Sequence, residues 1–322
     1  VRQWFGNWYK VLLNQGIEGF WNDMNEPAIF YSAQHLKEVF EQLEDYQDKE
    51  LDIWSFFELK NLIGGIDNRA EDYASFYHMY NGQKIRHDLV HNLYGYNMTK
   101  AAGEAFERLS PEKRILLFSR ASYIGMHRYG GIWTGDNQSW WSHIALSMKQ
   151  MTGLNMCGFL YSGSDIGGFG SDCTPDLLLR WLEFGIFTPL MRNHAALGTR
   201  SQEAFRFDRK EAADIIGLRY MLLPYIYSEY VKAAVNGEMY FRPIAFDYPE
   251  DARARHIEDQ LCVGESIMIA PVCEQNAAGR NVYLPERMKM YRFRSMTDFD
   301  TEVLAEGDHY LRVSLHEVLI FV

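Results

Sequence analysis

The sequence predicts an α/β fold in which βα units build a parallel sheet of the (β/α)8-barrel kind, followed by a small antiparallel β-sandwich. Three observations predict it. Short apolar runs that end in polar clusters alternate with longer stretches of helical period, the pattern of βα units. Near residue 240 the texture changes to short β-rich runs separated by Gly, Asn and Pro. The 322 residues also exceed the roughly 250–300 at which a single core stops growing, so a barrel-sized unit and an appendage both fit.

Taken in order, Gly19-Phe20-Trp21-Asn22 is the first strand end, 99–109 an amphipathic helix, and Ile115-Leu116-Leu117-Phe118 a strand. A helix over 139–151 leads to a strand at Cys157-Gly158-Phe159-Leu160-Tyr161. A helix over 174–186 precedes a strand at Thr188-Pro189-Leu190-Met191, and a long helix covers 210–234. Barrel chemistry sits at the C-terminal ends of strands, so the polar residue after each apolar run is the one to inspect. Residues 31–95 break the rhythm with an acidic and aromatic segment containing Glu41, Glu44, Asp45, Asp48 and Glu50. It is too long for a simple loop and reads as an insertion with its own helices, either a lid or a contact in a homo-oligomer. Strands at 266–270, 281–284 and 317–321 mark the C-terminal part. The expected division is a barrel over 1–238, and the last barrel strand with the sandwich over 239–322.

Composition narrows the function. Hydrophobic residues are 47% and charged residues 23%, ordinary for a globular chain, whereas aromatics reach 15% and often stand beside acids and glycines, as in a sugar cleft. A net charge of −11 without a Lys/Arg run argues against nucleic acid or an anionic membrane and favours a neutral substrate. Cys157, Cys173, Cys262 and Cys273 show no metal or disulfide spacing, which favours a reducing cytoplasm, and no apolar run is long enough to span a bilayer. The chain starts at Val1, which reads as a fragment of a longer protein. His78, His87 and His91 lack a metal pattern and read as fold or surface residues; no cofactor or metal is called for.

The chemistry-bearing residues begin with Gly19-Phe20-Trp21-Asn22-Asp23-Met24-Asn25-Glu26-Pro27, which brings two carboxylates and a Trp to one strand mouth. Cleaving an acetal through an oxocarbenium-like state needs a carboxylate below the anomeric carbon and a proton donor at the leaving oxygen. A second constellation is Arg128-Tyr129-Gly130-Gly131-Ile132-Trp133-Thr134-Gly135-Asp136-Asn137, with Trp140 and Trp141 near enough in sequence to desolvate Asp136. Asn137-Gln138-Ser139 also fits a glycosylation sequon, read here as coincidence. The first segment resembles the W-x-D-M-N-E signature of glycoside hydrolase family 31, and the second its W-x-G-D-N segment. Ser162-Gly163-Ser164-Asp165-Ile166-Gly167-Gly168-Phe169 is similar to the family's G-x-D-I-G-G-F motif.

That resemblance implies a retaining α-glucosidase on a TIM barrel. It implies Asp23 as nucleophile, Asp136 as general acid/base, and Glu26 as holder of a neighbouring Arg. Trp21, Met24, Arg120, Trp133, Asp165, Phe169 and His194 become substrate-binding residues. The family normally begins earlier, so the first barrel strands are expected to be missing here. The implied reaction is double displacement at terminal non-reducing α-glucose of small oligosaccharides. Double displacement requires carboxyl groups about 5–5.5 Å apart. Related activities, α-xylosidase, sulfoquinovosidase or transglucosidase, and a non-catalytic carbohydrate-binding homologue are the alternatives.

Overall fold

The structure, a computed structural model, describes residues 1–207 and 209–322 and divides into two compact units, Val1–Gly130 and Gly131–Val322. In the first, helix α1 (Arg2–Leu13) precedes strand β1 (Gly19–Asn22). The segment after β1 carries helices α2 (Ala33–Glu44), α3 (Ile53–Gly64) and α4 (Ala70–Ser75) and strands β2 (Tyr77–Tyr80) and β3 (Gln83–Arg86). Helix α5 (Leu93–Leu109) and strand β4 (Leu116–Ser119) follow. β1 and β4 pair in parallel with Asn22 opposite Ser119, so the residues that follow both strands emerge at one end. Phe20, Ala102, Phe106 and Leu117 form the core beneath them, with Tyr9 and Leu13 of α1 packed against it. α1 and α5 approach closely because residue 6 is Gly: a Cβ there would lie 2.6 Å from the Ala101 carbonyl oxygen.

Asp72 organises the inserted segment. Its buried carboxylate accepts from the backbone N–H groups of Ser32 (2.8 Å) and Arg69 (3.1 Å) and pairs with His35 Nδ1 at 3.0 Å. Those amide bonds satisfy donors that would otherwise be orphaned at helix starts. α3, by contrast, buries none of its residues and exposes Trp54, Phe56 and Phe57.

The second unit opens with strand β5 (Gly131–Trp133), helix α6 (Trp141–Met156) and strands β6 (Ser162–Gly163) and β7 (Asp165–Ile166). Helix α7 (Pro175–Gly185), strand β8 (Arg192–Asn193) and helix α8 (Arg209–Asn236) follow. β5 pairs with β6 and β7 with β8, both in parallel. Two strands expected from the sequence sit later than their apolar runs. At 157–161 the backbone turns, with Gly158 at φ 85° ending α6, and the ladder with β5 starts at Ser162; Phe159 and Leu160 are buried, and the Tyr161 carbonyl accepts from the Ile132 N–H (3.0 Å). At 188–191 the Thr188 hydroxyl donates to the Gly185 carbonyl and lies within hydrogen-bond distance of the Leu190 carbonyl, and Pro189 has no N–H; the Leu190 N–H reaches the Ser162 carbonyl of β6 (3.1 Å), and the β7–β8 ladder starts at Arg192. Arg219 of α8 donates to the carbonyls of Ile186, Thr188 and Pro189, covering acceptors left open beyond the end of α7.

The remainder is β9 (Phe241–Pro243), the short helix α9 (Ile244–Asp247), β10 (Leu261–Val263), β11 (Ile267–Ile269), β12 (Gly279–Leu284), β13 (Met288–Phe293), β14 (Phe299–Leu304), β15 (Gly307–Arg312) and β16 (Val318–Phe321). Six of these strands form a sheet in the order β14-β13-β16-β11-β10-β9, and β12 pairs with β15. Val282, Leu284 and Leu311 from the β12–β15 pair pack on Met268, Met290, Leu319 and Phe321 of the larger sheet, the alternating inner faces of a small β-sandwich.

α7 is tied to this region by Arg180, which is 1% exposed and donates to the carbonyls of Val313 (2.7 Å) and Ser314 (3.0 Å) and to the Glu183 carboxylate (3.0 Å). Burial outweighs the opposing pull of Arg180 and pushes the Glu183 carboxyl from 4.5 up to about 8. Between those values the folded chain keeps a proton that the unfolded chain has lost, so this group makes stability fall as pH rises. Glu183→Gln is expected to remove that slope; an unchanged slope across the same window contradicts the assignment.

Candidate active site

The first unit presents a carboxylate–guanidinium array where β1 and β4 end. Arg120 follows β4 and donates through Nε to Glu26 Oε1 at 2.7 Å and through an Nη to Glu26 Oε2 at 3.0 Å, a bidentate fork. Its other Nη lies 3.2 Å from Asp23 Oδ1, which also accepts the Met24 N–H at 2.8 Å. One cation thus serves two acids that project from the same loop. Burial raises the Glu26 pKa, but the Arg120 hydrogen bonds, a backbone hydrogen bond and the nearby charges of Arg120 and His91 outweigh it and hold Glu26 below the ordinary carboxylate range.

The loop that carries these acids is sewn in place by Asn25, which is 2% exposed. Asn25 donates to the Ser119 hydroxyl (2.8 Å) and accepts from the Ala121 N–H (3.1 Å), while the Arg120 N–H reaches the Asn22 carbonyl (3.0 Å). Met24 sits at φ 54°, a left-handed conformation that costs a non-glycine residue about 1–3 kcal/mol and that tends to mark functional loops. The side chains of Trp21 and Met24 are exposed, and Trp21 stacks on Phe118 with ring centroids 6.2 Å apart.

The second unit builds its own cluster. Asp136 follows β5 on a loop, and its side chain is exposed rather than desolvated: Trp140 is itself 55% exposed. Asn137 anchors that loop. Its amide donates to the Asp165 carbonyl (2.9 Å) and accepts from the Asp165 N–H (3.0 Å), and its own carbonyl accepts from Phe169 N–H (2.6 Å). Buried and doubly bonded, Asn137 cannot serve as a glycosylation acceptor in the folded chain. The segments meet closely enough to require Gly168, at φ 88°, where a Cβ would lie 2.3 Å from the Ser139 nitrogen.

Asp165 is fully buried, and its Oδ1 pairs with Arg192 at 2.5 Å. The Arg192 guanidinium lies over the Trp133 ring, 5.2 Å from its centroid, so Trp133, at 2% exposure, is the floor beneath that cation. Phe169 and His194, both half-buried, stack with centroids 5.1 Å apart. Gln202 ties the two segments together, donating to the carbonyls of Gly168 (2.9 Å) and His194 (3.2 Å).

Each unit therefore gathers its share of the expected residues: Asp23, Met24, Glu26, Trp21 and Arg120 in the first, and Trp133, Asp136, Asp165, Phe169 and His194 in the second. Sequence reasoning assigned no role to Asn25, Asn137, Arg192 or Gln202. Arg192 was visible as a cation beside His194 at a strand end; Asn25, Asn137 and Gln202 act through partners remote in sequence and carried no local signal.

Comparison with known proteins adds the following. Residues 1–229 match the description "Glycosyl hydrolases family 31 TIM-barrel domain" and residues 237–322 match "Glycosyl hydrolase family 31 C-terminal domain". The chain is 32% identical over 327 aligned positions to α-glucosidase 2 of Bacillus thermoamyloliquefaciens, covering 100% of this chain and 36% of that protein. It is 31% identical to the α-glucosidase of Saccharolobus solfataricus, covering 98% of this chain and 44% of that one. Among solved structures, the Flavobacterium johnsoniae family 31 dextranase complexed with glucose superposes with a TM-score of 0.77 at 28% identity, over 100% of this chain and 36% of its own. The chain thus spans 36% to 44% of the length of these relatives. The barrel class and the antiparallel C-terminal domain expected from the sequence are borne out.

Asn137→Ala removes a reciprocal pair of buried hydrogen bonds; the Asp165 carbonyl keeps the Gly168 N–H (3.0 Å), but the Asp165 N–H loses its Asn137 acceptor, a loss of about 1–3 kcal/mol for a group left unsatisfied. Hydrogen exchange is expected to accelerate selectively at Asp165, Phe169 and Gly170; unaltered protection there would contradict the anchoring role.

Proposed function

The chain belongs to glycoside hydrolase family 31, and from that premise we propose that it is the catalytic part of a retaining, exo-acting α-glucosidase that removes terminal α-glucose from oligosaccharides. The observation that carries the reading is the Asp23–Arg120–Glu26 array. A carboxylate oriented by a shared guanidinium, at the C-terminal end of a parallel strand, suits a nucleophile. Asp23 attacks the anomeric carbon while Asp136 protonates the departing glycosidic oxygen. Asp136 then takes a proton from water, which attacks the same carbon and frees Asp23. Two inversions leave the α-configuration retained.

The exposed position of Asp136 supports its role in the open protein, because the residue must exchange its proton with water once per cycle. A bound sugar would supply the desolvation that the tryptophans do not. Phe169 and His194 offer stacking surface for a pyranose, and the buried Asp165–Arg192 pair fixes the β7–β8 strand ends beyond which they lie. The α-glucosidase names of the relatives support glucose as the glycone. The four free thiols support a reducing compartment.

Proton NMR of the first-formed product from a p-nitrophenyl α-glucoside tests the stereochemistry: α-glucose is expected, and β-glucose refutes retention. Asp23→Asn is expected to abolish turnover. Asp136→Ala is expected to spare substrates with good leaving groups relative to poor ones and to recover with azide, because a small anion can replace the water that Asp136 activates; uniform loss without azide rescue would remove Asp136 from its role.

A further inference from the structure

The β1–β4 ladder ends at the Asn22–Ser119 pair, and the backbone groups just beyond it need partners of another kind. Side chains supply them. Ser119 is fully buried, and its hydroxyl accepts from Asn25 Nδ2 (2.8 Å) and donates to the Ala121 carbonyl (2.9 Å). The Ala121 N–H in turn donates to Asn25 Oδ1 (3.1 Å). These bonds close a ring through one amide, one hydroxyl and one main-chain residue. The ring admits a single orientation of the amide, because turning it over would set its NH2 group against the Ala121 N–H. A buried hydroxyl is costly unless bonded, and here it both donates and accepts.

The ring brackets Arg120. Ser119 and Ala121 are its chain neighbours, and its own N–H donates to the Asn22 carbonyl (3.0 Å). Asn22 and Asn25 in turn bracket Asp23 and Met24, so the guanidinium and the acid it reaches hang from one hydrogen-bonded frame. That frame matters most for Asp23. Arg120 gives Nε and one Nη to Glu26 at 2.7 and 3.0 Å, whereas Asp23 Oδ1 stands 3.2 Å from the other Nη and also accepts the Met24 N–H. A bidentate fork aligns itself; a single longer contact takes its geometry from the backbones that carry the two residues. Helix α5 closes the far side of the ring: a Cβ on Gly95 would lie 2.6 Å from Ala121 Cβ, 2.9 Å from the Ala121 carbonyl oxygen and 3.0 Å from the Asn25 carbonyl oxygen.

We propose that Ser119 is a positioning residue for the nucleophile: through Asn25 and Ala121 its hydroxyl fixes Arg120 at the distance from Asp23 that the reaction uses. The proposal rests on the α-glucosidase reading for its catalytic consequence but not for the geometry. Fully buried, Ser119 offers no surface to a sugar, and it acts only on where Arg120 meets Asp23. Without the hydroxyl, the Ala121 carbonyl and the Asn25 amide each lose a partner, and the 119–121 span can shift by a fraction of an ångström. Attack at an anomeric carbon is sensitive to such shifts, since a misplacement of about 1 Å can cost about 100-fold in rate.

In the full protein, Ser119→Ala is expected to lower kcat on p-nitrophenyl α-glucoside about tenfold and to change KM by less than about threefold, whereas Ser119→Thr, which keeps the hydroxyl, holds kcat within about threefold. Equal losses in the two variants, or a loss confined to KM, would overturn the proposal. Asn25→Ser opens the ring from its other side and is expected to reproduce the loss; unchanged kcat there counts equally against it. Because Ser119 acts through Arg120, Ser119→Ala is expected to cost little further activity once Arg120→Lys is in place. A full additive loss in that double variant would make the role of Ser119 merely structural. NMR of the arginine Nε–H groups reads the geometry without turnover. Ser119→Ala is expected to shift the Arg120 Nε–H resonance, identified by its absence in Arg120→Lys, and to hasten its exchange with water; a resonance indifferent to Ser119 refutes the positioning. A shifted resonance in a protein inactive on every α-glucoside would support the positioning while refuting the glucosidase reading.

Discussion

The first unit is organised around one guanidinium that has two acids to satisfy. Asp23 and Glu26 project from one short loop, and two neighbouring carboxylates without a cation push one another toward protonation. Arg120 removes that conflict by forking onto Glu26 and reaching Asp23 with its remaining nitrogen. The surrounding structure serves this geometry. The β1–β4 register sets Asn22 opposite Ser119, Asn25 bridges the two strand ends, and Gly95 lets α5 come near enough to brace them. The left-handed turn at Met24 is sustained by the same contacts.

The second unit solves a related problem with a buried acid. Asp165 has no access to water, and Arg192 neutralises it while resting on the face of Trp133. A buried ion pair of this sort adds little net stability but fixes geometry, because either partner left alone would be a costly unpaired charge. Its value lies in the loops it holds. The reciprocal amide bonds of Asn137 attach the Asp136 loop to Asp165, and Gln202 attaches the His194 segment to Gly168. Asp136 is left exposed on a rigid support, a suitable setting for a group that must change protonation state during a reaction.

Much of this was legible in the sequence because barrel chemistry clusters at strand ends, where apolar runs give way to polar residues. That rule singles out Asp23, Arg120, Asp136, Asp165 and His194, and the motif resemblance names their family. What stayed hidden acts across long sequence separations. Asn137 reads locally as a sequon, and only its pairing with Asp165 reveals an anchor. His78, His87 and His91 read as fold residues, since their spacing matches no metal pattern; a chain of imidazoles bonded to one another leaves no such pattern. The runs at 157–161 and 188–191 are largely buried and meet neighbouring strands at the Tyr161 carbonyl and the Leu190 N–H, ahead of the ladders proper, and apolar content alone does not separate packing from pairing. The tryptophans near Asp136 were close in sequence, but Trp140 points its bulk to solvent and Trp133 supports Arg192 instead.

In the proposed reaction Asp23, paired with Arg120, carries a covalent glycosyl intermediate. A fluorinated α-glucosyl fluoride whose slow second step lets that intermediate accumulate tests it most directly, with peptide mass spectrometry of the trapped protein. A single fluorohexosyl adduct is expected on the peptide carrying Asp23, absent in Asp23→Asn. An adduct on another carboxylate, or turnover of a good substrate with no adduct at all, would contradict it.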